Sequence, residues 1–294
     1  MTFDVCVVGS FMMDLVIRGP RRPDRGETVI GSSFETYLGG KGFNQAVAAA
    51  RAGASTAMVG RLGDDDFGRQ FLALLEGEGI DATSVGADSE IGTGVGAPFV
   101  EDSGENSIVV VPRANHALNP DHVRAAAGVI ESAKVLLLQL ELPVAATLEA
   151  ATIGRAAGVT VVLNPAPAVG ALDVFKGLVD YVVPNESEAA QLGGPDELLD
   201  VTGARGIALT LGERGATVLA DGLSTSVGAH IVDCVDTVGA GDAFCGALAA
   251  QLAAGASLID AVTFANAAGA LAVSIPGAEP SMPRRAAIEA LLSS

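Results

Sequence analysis

The chain has 294 residues and a mass of 29.4 kDa, enough for one large domain or two modest ones with a sizeable core. Hydrophobic residues at 49% against 18% charged exclude intrinsic disorder. Thirty-five acids against 17 bases give a net charge of −18, whose field repels nucleic acid and anionic membranes.

The first residues, MTFDVCVVGSF, have no basic leader region and run directly into a buried-strand pattern at 5–10. Residues 11–38 hold short extended pieces, DLVIR and ETVIG, and 95–112 read as a hairpin about Ser103-Gly104. Neither stretch has a helix beside it. They are expected to form a small sheet apart from the core, a lid over the strand ends, with an extra edge to the main sheet as the alternative. Gly39-Gly40-Lys41-Gly42 reads as a flexible loop entering a helix over 43–52 that stops at Gly53. Asn119-Pro120 is an N-cap followed by a first-turn proline, opening a helix through Ala126.

From residue 134 onward the pattern alternates. VLLLQL (135–140), VTVVL (159–163), DYVVP (180–184) and GIALTL (206–211) are apolar runs without polar alternation, and the segments between the first three read as helices. Such strands belong to a parallel sheet covered on both faces. Ligands bind such sheets beyond the carboxyl ends of the strands, where this chain carries Glu141, Asn164, Asn185 with Glu188, and Thr210 with Gly212. The stretches 243–259 and 261–278 carry no charge, but Gln251, Asn266 and Pro276 make them core helices rather than bilayer spans. Cys6, Cys234 and Cys245 form no pairing pattern, so reduced thiols and a cytoplasmic location are expected.

Two segments carry chemistry. In Asp236-Thr237-Val238-Gly239-Ala240-Gly241-Asp242, glycines before a helix start turn backbone N–H groups toward one point, a nest for phosphate oxygens. Asp242 at its mouth is suited to taking a proton from an attacking hydroxyl; taken alone, the segment also reads as a tight turn with Asp242 as an N-cap. In Gly39-Gly40-Lys41-Gly42-Phe43-Asn44, a lysine between glycines suits a polyhydroxylated or anionic ligand, or is an ordinary turn. No GxxxxGK[ST] and no strand-linked GxGxxG occurs. His116, His122 and His230 lack metal-ligand spacing.

GGKGFNQAVAAARAG and DTVGAGDAFCGAL together resemble the two signature segments of the PfkB family of carbohydrate kinases. GENSIVVVPRANHALNP, LLLQLE, NPAPA, PNESEA, TLGERGA and AVSIPGAEPSMP follow in the order seen in its ribokinase branch, so the resemblance covers nearly the whole chain. It implies a single 1–294 kinase domain with a ribokinase-like three-layer αβα core, a mostly parallel sheet, and a β-sheet lid from about 11–38 and 92–112. The lid often forms a homodimer contact in the family.

The same resemblance implies roles. Asp242 matches the catalytic base, and Gly239, Ala240 and Gly241 the anion hole. Asp14, Gly40, Lys41, Asn44 and Glu141 match sugar-binding positions. Asn185 and Glu188 match a motif that organises Mg²⁺ through water beside ATP, and Thr210, Gly212 and Asn266 match nucleotide positions. Asp236, Val238, Ala272, Ile275, Gly277 and Ser281 match a K⁺ loop. The implied reaction is transfer of the γ-phosphate of ATP to the 5-hydroxyl of a pentose, D-ribose first. A 2-deoxyribose kinase, a nucleoside or hexose kinase, and a sugar-binding pseudokinase are the alternatives.

The chain departs from the pattern at Met12, where ribokinases carry Asn. A thioether gives a sugar hydroxyl no good partner, so acceptance of 2-deoxyribose is expected to rise, unless Met12 is a packing residue of the lid hinge. Phe43 and Arg113 replace Ala and Gly. Phe43 either packs at the helix start or narrows the sugar pocket or faces a larger aglycone, and Arg113 is either a solvated arginine or one that approaches a phosphate.

Overall fold

The computed structural model describes residues 2–168 and 170–294. Nine strands form one sheet: β1 (Phe3–Val8), β4 (Thr56–Gly63), β5 (Asp81–Asp88), β8 (Ala133–Leu138), β9 (Thr160–Leu163), β10 (Tyr181–Val182), β11 (Gly206–Thr210), β12 (Ala216–Ala220) and β13 (Leu223–Val227). The order is β13-β12-β11-β10-β9-β8-β1-β4-β5, and every pairing from β5 to β11 is parallel, with β12 and β13 antiparallel at one edge.

The unbroken apolar runs follow from burial of both faces. Along β1, Val5 and Val7 join the core under one helical layer, while Cys6 and Val8 join the core on the opposite face. Val135 and Leu137 of β8 likewise alternate with Leu136 and Leu138. The uncharged segments near the C-terminus form the helices Ala240–Ala253 and Leu258–Ala272, both largely buried in the first of these layers. Among the described residues no helix is long and apolar enough to cross a membrane.

The lid pieces form their own four-stranded sheet, β3-β2-β6-β7, from β2 (Met12–Gly19), β3 (Ser33–Gly39), β6 (Val95–Glu101) and β7 (Asn106–Val111). Here β2 runs parallel to β6, and the other two pairings are antiparallel. The hairpin about Ser103-Gly104 is β6–β7.

Three local expectations need correction. ETVIG (27–31) is not a strand, because Glu27 accepts from the Asp24 N–H at 2.9 Å and pairs with Arg21, closing a turn; the strand begins at Ser33. Between residues 163 and 180 the described residues hold only the 3₁₀ turn Leu172–Phe175, since Pro165, Pro167, Gly170 and Gly177 interrupt any longer helix; Val169 lies outside the described residues. Gly39-Gly40-Lys41-Gly42 is no loose loop either. Gly39 ends β3, Gly40 caps the helix Lys41–Arg51 at φ 94°, and a Cβ on Gly42 would stand 2.4 Å from the Ser10 nitrogen.

Candidate active site

Two helix starts and the carboxyl ends of the parallel strands converge on one region. Gly239 caps the helix Ala240–Ala253 with φ 81°, a left-handed conformation that glycine adopts without strain. The N–H groups of that first turn have no partner inside the helix, and the dipole end there is positive. Asp242 lies in this turn but does not cap it. Its carboxylate turns to the neighbouring helix, where Asn44 Nδ2 donates to Oδ2 and Gln45 Nε2 to Oδ1, each at 2.9 Å. Asp242 is only 8% exposed, so the reading of it as a plain N-cap falls.

A cavity of about 200 Å³ is lined by Asp242, Gly239 and Gly241 together with Lys41, Asn185 and Glu188. Burial lowers the Lys41 ammonium pKa, but the facing Asp242, Glu141 and Glu188 carboxylates outweigh it, so Lys41 sits above its ordinary value and stays charged. Glu188 is pushed up by burial, against the Asn185 N–H that it accepts. Asn185 and Glu188 form a capping box on the helix Glu186–Gln191, with bonds of 2.8 and 2.9 Å. The local fold thus fixes both at the lip of the cavity.

A second cavity of about 660 Å³ shares Thr210, Thr237 and Gly241 with the first. Its walls include Gly212, Phe244, Val232 and Ala270, and Asn266, whose Nδ2 donates to the Gly228 carbonyl at 2.6 Å. An apolar slot joined to a charged, glycine-rich throat suits an aromatic base carrying phosphates.

Of the matched sugar-side positions only Lys41 lines a cavity; Met12, Asp14, Gly40, Asn44 and Glu141 line neither, with Met12 and Asp14 on the lid strand β2. Glu141 accepts from the Lys41 backbone N–H at 2.9 Å and from the Ser10 hydroxyl. Asp14 is wedged between two glycines: a Cβ at Gly39 or Gly96 would come within 2.6 or 2.4 Å of its carboxylate oxygens. Burial, aided by Glu141, pushes its pKa up to about 6. Gly40 leaves room for Met12, whose nitrogen would lie 2.7 Å from an added Cβ. Asn44 Oδ1 is buried with no protein partner, a spare acceptor beside Asp242.

The matched cation-loop positions lie on two joined segments. Asp236 accepts from Val238 N–H at 3.0 Å and from Gly277 N–H at 2.9 Å, while Ile275 N–H donates to the Ala272 carbonyl and Ser281 is fully buried. With its carboxylate committed to backbone N–H groups, this loop offers carbonyl oxygens, the donor type a large monovalent cation takes. Among the described residues no three His, Cys, Asp or Glu side chains converge as metal ligands.

The two substituted positions have different surroundings. Phe43 is fully buried, with its ring centroid 6.1 Å from Phe11 and 4.8 Å from Phe71. Arg113 takes φ 47° at the lid hinge; its side chain is exposed, as expected of a solvated arginine, and one guanidinium nitrogen donates to the Thr93 carbonyl at 3.0 Å. Sequence reasoning missed Gln45 and Gln139. The available signal was a polar residue inside each of two otherwise apolar runs.

Residues 2–285 match the pfkB family of carbohydrate kinases. A ribokinase of Bacillus subtilis is 39% identical over 99% of both chains, and a deoxyribokinase of Salmonella typhi 36% identical over 84% of both. The structure of an Arabidopsis thaliana ribokinase complexed with ribose and ATP superposes with a TM-score of 0.92 at 30% identity, covering 100% of each chain. The chain belongs to the pfkB family of carbohydrate kinases. Ribokinases and deoxyribokinases are among the relatives it matches within that family.

Proposed function

We propose that this chain, as one cytoplasmic kinase domain spanning 1–294, transfers the γ-phosphoryl group of ATP to the 5-hydroxyl of D-ribose. The observation that carries the reading is Asp242, held at both oxygens on the wall of the smaller cavity, next to Gly241, which lines both. ATP lies in the larger cavity near Asn266, Thr210 and Gly212, with its phosphates toward the nest of Gly239, Ala240 and Gly241. The sugar lies under the lid against Asp14, Gly40, Lys41, Asn44 and Glu141. Its hydroxyl oxygen attacks the γ-phosphorus, the bond to the β-bridging oxygen breaks, the proton passes to Asp242, and ADP leaves. Lys41 and the helix start neutralise the charge on the transferring group, since such transfers depend on positioning and electrostatics.

Mg²⁺ fits the lip formed by Asn185 and Glu188: it keeps several waters and needs one or two carboxylates besides substrate phosphates. There it would neutralise the phosphates of ATP. K⁺ fits the carbonyl-rich loop of Asp236, Val238, Ala272, Ile275, Gly277 and Ser281, behind the nest. A homodimer through the lid is supported by β7, an edge strand on which Ile108, Val109, Val110 and Val111 are all 46% or more exposed, with Phe34 at 63% on β3.

A second reading, 2-deoxyribose as the preferred sugar, is favoured by Met12. It is 5% exposed and stands beside Asp14, where it offers no hydrogen bond to a 2-hydroxyl. The test is ADP release with Mg-ATP and K⁺ on D-ribose, 2-deoxy-D-ribose, hexoses and nucleosides. Turnover fastest on ribose supports the first reading, and fastest on deoxyribose the second. Turnover only on hexoses or nucleosides removes both.

A further inference from the structure

Asp242 is held on one oxygen by Asn44 and on the other by Gln45, and neither residue lines a cavity. Asn44 keeps a side-chain oxygen with no protein partner, whereas Gln45 has no exposed surface and both its amide atoms are bonded within the protein. Its Nε2 reaches Asp242 Oδ1 at 2.9 Å across 197 residues of sequence.

An amide has two faces, and only one serves here. Turned over, its oxygen would meet the carboxylate and repel it. The direction of Gln45 is fixed twice. Gln139 Nε2 donates to Gln45 Oε1 at 2.6 Å, which leaves only the NH₂ group for Asp242. The second hydrogen of that group goes to Asn164 Oδ1 at 3.1 Å, and Asn164 is itself fixed because its Nδ2 donates to the Val183 carbonyl at 2.8 Å. Gln139 and Asn164 each directly follow a core strand, β8 and β9, so the parallel sheet anchors the chain of amides.

Gln139 is also costly where it stands. Its Oε1 is buried without a partner, a penalty the flanking Leu138 and Leu140 avoid.

We propose that Gln45 is the positioning residue for Asp242, and that Gln139 and Asn164 act through it by fixing the direction of its amide. This rests on the reading of Asp242 as proton acceptor. The carboxylate is held with its oxygens set before substrate arrives, so the attacking hydroxyl meets a group that need not reorganise.

The test compares Gln45→Met and Gln139→Met with the unaltered full chain. Loss of a charge-assisted hydrogen bond is expected to lower kcat about tenfold to a hundredfold in Gln45→Met, with KM for sugar and for ATP held within about twofold. Gln139→Met is expected to show a smaller fall with the same split. A merely structural role would move both KM values and the melting temperature together. The carboxyl ¹³C resonance of Asp242, identified by its loss in Asp242→Asn, is expected to move in both variants. A folded Gln45→Met with unchanged kcat, or an unmoved Asp242 resonance, overturns the proposal. Should Gln45→Met not fold, Gln139→Met decides on the same two readouts. An unaltered chain inactive on every sugar would defeat the proposed function instead, and the resonance would still decide the role of Gln45.

Discussion

Gly246 lies directly against Ala48: a Cβ at position 246 would stand 2.5 Å from the Ala48 Cβ and equally close to the Gln45 carbonyl oxygen. The helices Lys41–Arg51 and Ala240–Ala253 therefore touch backbone to backbone just beyond Asp242. That close approach lets Asn44 and Gln45 of one helix reach the carboxylate of the other at 2.9 Å.

Gly246→Ala is expected to push the helices apart, since the atoms it meets include backbone. Overpacking of this kind costs about 1–3 kcal/mol, and the carboxylate contacts lengthen with it. Thermal unfolding and steady-state kinetics should show a lower melting temperature together with a reduced kcat. A variant matching the unaltered protein in both would mean that the contact is slack.

Asp14 makes stability and binding oppose each other. Its pKa of about 6 in the folded chain exceeds the ordinary 3.8 because burial and Glu141 disfavour its charge. The folded state thus binds more protons than the unfolded between these values, so stability falls as pH rises from about 4 to 6 and stays lowered above. The two-unit difference corresponds to about 3 kcal/mol as an order of magnitude. Asp14→Asn should raise the apo melting temperature by a few degrees at pH 8 and by nothing near pH 4, while weakening sugar binding. A gain independent of pH, or a loss at pH 8, contradicts this origin.

Met12→Asn tests the source of sugar preference. A 2-hydroxyl facing the thioether loses its hydrogen-bond partner, a cost of about 1–3 kcal/mol. The substitution should raise the ribose-to-deoxyribose ratio of kcat/KM about tenfold. An unchanged ratio would make Met12 a packing residue of the lid hinge.

Most of the fold was legible because both faces of the parallel sheet are buried, which leaves runs such as VLLLQL with no polar alternation. The charged poles of the site were legible too, since Lys41 and Asp242 lie in glycine-rich segments that few other functions require. What escaped depended on distant contacts. Nothing near Gln45 in sequence announces Asp242 or Gln139, and a polar residue within an apolar run reads equally as an interruption. TVI within ETVIG has high strand propensity, yet Glu27 is engaged with Arg21 and the Asp24 N–H, so the segment turns instead. Phe43 sits within a signature segment, but two phenylalanines from elsewhere in the chain claim it for the core.

In the proposed reaction Asp242 takes the proton of a sugar hydroxyl as it attacks ATP. The most direct measurement is the rate of D-ribose phosphorylation by the unaltered chain and by Asp242→Asn, with Mg-ATP and K⁺, the product identified by ³¹P NMR. A 5-phosphate ester is expected from the unaltered chain. In the variant kcat is expected to be lower by about 10²–10⁴-fold, as for loss of a general base, with ATP affinity nearly intact. Undiminished turnover by Asp242→Asn, or phosphate on another hydroxyl, would contradict it.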